Sequence, residues 1–297
     1  MTIRYLLSAL TRGENWIYIG RKEGLDRKEA LGPMIAGMDA AQADGALRAE
    51  HLLHLRCEVT NPELLTLLEP HADNPRLMLL SVMDHTPGQR QTVNTERFES
   101  RLVAAGRSPE EIEDMLARRV EGRDPSVAYT NRRSVVAFAR EYGLPLAAHD
   151  DESQEHVDEA HEDGCVIAEF PVTLGAARTA RRYGMAIAMG GPNFVRGSSH
   201  SGNLSAREAA QADVLDIIAS DYVPLSMLRS AFMLIDSLGW SPEKAIATVA
   251  AGPARSVGLA DRGEISPGLR ADLVRVSRHR DGWPAPTEVW REGRRVA

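Results

Sequence analysis

The chain has 297 residues, 43% hydrophobic and 26% charged, enough to bury a full core in one large domain with at most a small appendage. A net charge of −7 speaks against general nucleic-acid binding, although a few local arginines can still hold a phosphorylated small molecule. The longest apolar stretches, Leu77–Met83 and Val214–Ala219, are too short to span a bilayer, and the N-terminus lacks a secretory pattern, so cytoplasm is the expected compartment.

In chain order, Thr2–Leu7 is a weak strand candidate. Stronger apolar runs follow at Leu52–Cys57, Leu77–Met83, Leu144–Ala148, Cys165–Glu169, Met185–Met189 and Val214–Ala219. They are continuous rather than alternating, as strands buried on both faces should be. Cys57 and Cys165 lie within such runs and are expected as buried, reduced thiols. Helical segments with clear start signals separate most of the runs. Ser108-Pro109-Glu110-Glu111 and Ser205-Ala206-Arg207-Glu208 spell capping boxes, placing helices at Pro109–Val120 and after Ser205. Ser241-Pro242 opens another helix, expected over Pro242–Ala251.

Repeated strand–helix units imply a parallel sheet with right-handed crossovers. An open doubly wound sheet and a closed barrel both satisfy that pattern. Polar residues favour the barrel, because they stand at the C-terminal ends of nearly every strand rather than at one switch point. The expected fold is therefore an α/β, (β/α)8-type barrel over residues 1–258, with a small β appendage at 259–297. In that appendage Asp261–Ile265 and Leu269–Val276 read as short strands, followed by Glu288–Trp290 and Arg294–Val296. The long connection from Asp84 to Tyr142 suggests a lid or an extra helical layer.

The strand ends carry the candidate chemistry. Glu58 ends one buried strand and needs a counter-charge, which either Arg56 or a metal can supply. Asp84-His85-Thr86-Pro87-Gly88-Gln89 follows the next; it can close an Asx-type turn or contact substrate through Asp84, His85 and Gln89. His149-Asp150-Asp151 sets an imidazole beside carboxylates, the arrangement of a divalent-metal ligand with its orienting groups. Glu169 ends the next strand. Asp221 follows the last and is placed to take a proton from an attacking water. The stretch 190–203 is rich in glycine and hydrogen-bond donors. It is either a flexible connector or a phosphate-binding loop, with Arg196, His200 and Asn203 as contacts.

The segments Leu53–Glu58, Met83–Arg90, Ala148–Asp151, Ala168–Pro171, Gly191–Asn203 and Ser220–Tyr222, and the tail Asp261–Val274, carry a resemblance. From about residue 44 onward the chain is similar to the phosphonate-metabolism branch of the amidohydrolase superfamily. The resemblance implies a metal-dependent hydrolase, with zinc as the expected ion. Its expected reaction is water attack on the triphosphate of a small phosphorylated sugar, releasing pyrophosphate and leaving a 5-phosphate. It also implies Glu58 and His149 as metal ligands and Asp221 as the catalytic aspartate. Glu169 stands where the superfamily usually has a ligand histidine. An amide hydrolase on the same barrel, or a non-catalytic barrel, are the alternative readings. The superfamily's His-x-His or His-x-Asp pair has no counterpart before Glu50. That reads as a barrel lacking its first strand, expected to be inactive or nearly so as written and prone to self-association.

Overall fold

The computed structural model describes residues 27–84, 90, 103, 106–113, 125–198, 203–221 and 223–297. The strand expected at Thr2–Leu7 and most of the helix expected at Pro109–Val120 lie outside them.

Helix α1 (Arg27–Ala43) precedes six strands: β1 (Leu53–Glu58), β2 (Leu77–Met83), β3 (Leu146–His149), β4 (Ile167–Glu169), β5 (Ala186–Gly190) and β6 (Ile217–Ala219). They form one sheet in the order β1-β2-β3-β4-β5-β6, with every neighbouring pair parallel. This order decides between the two candidate architectures. A doubly wound sheet reverses direction at a switch point, so its first strand lies inside the sheet. Strands laid down in sequence without reversal are the pattern of a (β/α) barrel.

Helices fill the connections: α2 (Leu64–Leu68) after β1, α3 (Pro125–Glu141) before β3, α4 (Gln154–Asp163) and α5 (Leu174–Arg182) on either side of β4. Two short helices, α6 (Gly191–Arg196) and α7 (Ala206–Gln211), join β5 to β6; α8 (Ser226–Leu238), α9 (Pro242–Ala247) and α10 (Ala251–Ser256) follow. Local chemistry fixes their starts. Ser153, Thr173 and Ser241 each accept from the backbone N–H three residues on, and Ser205 and Glu208 complete a capping box. The Ser108–Glu111 box also forms, with each side chain accepting from the other's backbone N–H.

Period-two alternation divides the sheet's faces. Leu55, Cys57, Leu80, Val82, Ala148, Ala168, Ile187 and Ile218 pack into the large core shared with the helices. Leu79, Ala147, Ile167, Ala188, Ile217 and Ala219 form a second cluster with Ala254 and Val257 from α10 and the residue after it. Both cysteines are buried and free, and burial pushes the Cys57 thiol up to about 12.

Several expected boundaries change, most clearly after β6. The helix expected over Pro242–Ala251 stops at Ala247, and α10 begins at Ala251. The break has a cause: the Thr248 carbonyl accepts from Ile218 N–H of β6 at 2.9 Å, satisfying a strand donor instead of continuing the helix. In the C-terminal part, β7 (Leu273–Arg278), β8 (Pro284–Arg291) and β9 (Arg294–Arg295) form an antiparallel sheet. Residues 261–265 are not a strand. Arg262 and Arg270 both reach Glu50 at 2.8 Å, and Arg270 N–H donates to the Asp261 carbonyl, so charge pairing shapes this segment.

Candidate active site

The second face of the sheet turns polar toward the strands' C-terminal ends. Register pairs Glu58 with Met83 and His149 with Glu169. His149 also lies one residue past the Val82–Ala148 pair. Glu58, Met83, His149 and Glu169 therefore share one cross-strand row. All four are buried.

His149 is the best-defined member. Its Nδ1 lies 2.9 Å from Asp150 Oδ2, and the Arg56 guanidinium bonds its Nε2. A guanidinium only donates, so Nε2 is the accepting nitrogen and Nδ1, beside the Asp150 carboxylate, carries the proton. The Phe170 ring closes the third side, with its centroid 5.3 Å from the imidazole's. Asp150 N–H donates to the Glu169 carbonyl at 2.9 Å, locking the two strand exits together.

Asp221 stands across the same mouth. A Cβ built on Gly190, the last residue of β5, would lie 3.4 Å from the Phe170 ring and 3.6 Å from Asp221 Oδ2. The open side of Gly190 thus brings the ring beside His149 and the Asp221 carboxylate to one spot. Three residues at these strand exits, Asp150 (φ 60), Phe170 (φ 54) and Asp221 (φ 46), adopt left-handed backbone. Such conformations are costly for side-chain-bearing residues and persist where the surroundings fix them.

The remaining candidates fall differently. Glu58 Oε1 accepts from the Thr60 hydroxyl at 2.8 Å, and Asp84 is the half-buried residue just after β2. His85, Gln89 and His200 lie outside the described residues. The stretch after β5 is not a loop throughout: residues 191–196 form α6, because Pro192 sits in its first turn and Gly197 (φ 84) ends it. Arg196 is exposed on its last turn, donating to the Ser198 carbonyl at 3.2 Å. Asn203 is half-buried just before α7, whose Ala206 N–H donates to Asn193.

Arg90 is a site neighbour that sequence reasoning passed over. It is buried, pairs with Asp151, and reaches Glu159 of α4 at 3.0 Å. Burial pushes the Asp151 carboxyl up to about 6, even with Arg90 beside it. The available signal was a charged residue closing the polar run that starts at Asp84.

No three histidine, cysteine or acidic side chains among the described residues stand close enough to share a metal ion. Strand spacing explains part of this: Glu58 and His149 are two strands apart, roughly 10 Å at the backbone. The guanidinium on His149 Nε2 explains the rest. The donor types suit a divalent metal, but their arrangement here does not fit one.

The amidohydrolase family profile matches residues 114–297, well over half of the chain. The chain belongs to the amidohydrolase family. Amidohydrolases are generally metal-dependent. The chain is 42% identical over 282 residues to the alpha-D-ribose 1-methylphosphonate 5-triphosphate diphosphatase of Escherichia coli, covering 93% of this chain and 73% of that protein. It is also 32% identical over 103 residues to the imidazolonepropionase of Streptomyces griseus, covering 31% of this chain and 26% of that enzyme. Among solved structures it is similar to the 5-methylcytosine deaminase of Klebsiella pneumoniae liganded with 5-fluorocytosine. That match has a TM-score of 0.49 and 16% identity, and covers 92% of this chain and 77% of the other. Among the described residues, no helix is long and apolar enough to cross a membrane.

Proposed function

We propose that this amidohydrolase cleaves alpha-D-ribose 1-methylphosphonate 5-triphosphate, releasing pyrophosphate and leaving the 5-phosphate. The observation that carries the reading is the 42% identity to the diphosphatase, sustained over 93% of the chain. The geometry supports a hydrolytic role. Asp221 is a carboxylate at the mouth, held by its own backbone conformation, and can accept a proton from an attacking water. The Arg56 guanidinium takes His149 Nε2, which leaves Nδ1, 2.9 Å from Asp150 Oδ2, as the nitrogen that carries the proton. Arg196 lies on the helix that starts where β5 ends, and with His200 and Asn203 it is the proposed contact for the phosphates. Asp84, His85 and Gln89 are the proposed substrate contacts after β2. Zinc is the proposed ion, by donor type, with His149, Glu58 and Glu169 as its candidate ligands. The proposed compartment is the cytoplasm.

An amide hydrolase is the second reading, since the imidazolonepropionase match favours cyclic amides. It spans less than a third of the chain. A substrate panel separates the two: the sugar triphosphate against acetylated amino sugars and cyclic amides, each with zinc supplied. Turnover of the triphosphate alone is expected, which departs from the inactivity expected from the sequence. Turnover of an amide with the triphosphate untouched would overturn the proposal.

A further inference from the structure

We propose that Arg90 is a positioning residue: by pairing with Asp151 it ties together the connections that leave β2, β3, β4 and β5, and with them the segments proposed to contact substrate. What Arg90 does for substrate rests on the proposed function, whereas the tie between the connections stands without it.

Asp151 is the node. Its carboxylate takes the Arg90 guanidinium, which arrives from the connection after β2. Its backbone carbonyl accepts from Val172 N–H, past the end of β4, at 2.8 Å. The Val172 carbonyl in turn accepts from Leu204 N–H, just before α7, also at 2.8 Å. One ion pair and two backbone hydrogen bonds thus run past the exits of four consecutive strands. The ends of this belt adjoin the proposed contacts: Asp84, His85 and Gln89 stand between β2 and Arg90, and Asn203 precedes Leu204.

Arg90 is itself firmly fixed. It is buried and holds a left-handed backbone (φ 48), a conformation that persists in a bulky residue where its surroundings determine it. One terminal nitrogen of the guanidinium bonds Asp151, and the other reaches Glu159 of α4 at 3.0 Å. Glu159 also receives Arg132 of α3 at 3.1 Å, and Arg132 Nε donates to Asp163 at 2.6 Å. The helices on both sides of β3 therefore back the belt from outside. A buried ion pair adds little stability over an apolar pair of the same size, because desolvation offsets the attraction. Its contribution here is placement: a guanidinium fork accepts its carboxylates in few orientations.

The test is amide hydrogen exchange and chemical denaturation of the unaltered chain, Arg90→Met and Arg90→Met/Asp151→Asn. Arg90→Met leaves a carboxylate buried without its partner and should lower the denaturation midpoint; the double variant removes that charge and should regain most of the loss. In both variants the Val172 and Leu204 amides should exchange about tenfold faster or more. The Ala186 amide, bonded to Val166 at the opposite ends of the strands, should be unchanged in the double variant. Unchanged exchange at Leu204, or protection that returns together with stability in the double variant, would overturn the belt. Steady-state turnover of the sugar triphosphate reads the substrate half. KM should rise about tenfold in both variants with kcat within about twofold. A fall in kcat at unchanged KM, or no change in either, would overturn the positioning role. An unaltered chain without triphosphate turnover would instead overturn the proposed function, and exchange at Leu204 would still decide the belt.

Discussion

Phe170 holds a bulky side chain in left-handed backbone at the exit of β4, flanked by Asp150 and Asp221 in the same conformation at the exits of β3 and β6. Each such residue costs on the order of 1–2 kcal/mol against its relaxed form. The cost places an aromatic ring, the histidine's partner and the candidate base around one point. Asp221→Asn keeps a residue that tolerates this backbone while removing the base, so turnover is expected to fall by about 10²–10⁴ with melting temperature unchanged. Rates near the unaltered value would move the base elsewhere. Asp150→Asn keeps the size of the side chain beside Nδ1 but loses the charge. About a tenfold loss of zinc affinity is expected by titration, and an unchanged affinity would show that the carboxylate does not tune the imidazole. The acids and His149 were legible in the sequence because each closes an apolar run. The guanidinium on His149 was not, since 93 residues separate the two, and neither was Arg90 on Asp151, 61 residues away.

At the scale of elements, the junction of β5, α6 and α8 governs where Asp221 sits. A Cβ on Gly191 would come within 2.5 Å of Ser226 Oγ and 3.1 Å of the Ser226 backbone carbon, and Ser230 Oγ donates to the Gly191 carbonyl at 3.2 Å. Backbone thus meets backbone where α8 starts, five residues after Asp221. Gly191→Ala must push α8 away, and a loss of about 1–3 kcal/mol in chemical denaturation is expected, with turnover falling as well. Unaltered stability would show that the contact relaxes freely. This contact also shows why boundaries drift when read from sequence. Apolar runs report burial, while strands are defined by the hydrogen-bond ladder. β2 matches its run, Leu77–Met83, but Val214 N–H bonds back to Ala209 of α7 and Cys165 N–H to Ala160 of α4. Those residues finish helices, although their side chains are as buried as the strands they precede.

For the whole molecule, Glu50 ties the approach to β1 to the segment before β7, through Arg262 and Arg270. Burial raises the Glu50 carboxyl, but the two arginines outweigh it and hold it below the ordinary value of 4.5. A depressed acid contributes its stability above the unfolded pKa and loses it as pH falls through the folded one. Glu50→Gln should therefore lower the melting temperature at neutral pH, with the difference from the unaltered chain shrinking below pH 4.5. A difference constant from neutral pH down to acid would show that charge plays no part in the tether. The barrel order itself was legible, because polar residues at every strand end need one mouth; the arginine-built turn before β7 was not, because ion pairs leave no periodic trace. The central claim is that this mouth hydrolyses a sugar triphosphate to pyrophosphate. The most direct measurement is phosphorus NMR of alpha-D-ribose 1-methylphosphonate 5-triphosphate incubated with the protein and zinc. Pyrophosphate and the 5-phosphate should appear together in equal amounts, and more slowly with Asp221→Asn. Orthophosphate with a 5-diphosphate, or an unchanged substrate, would contradict the account.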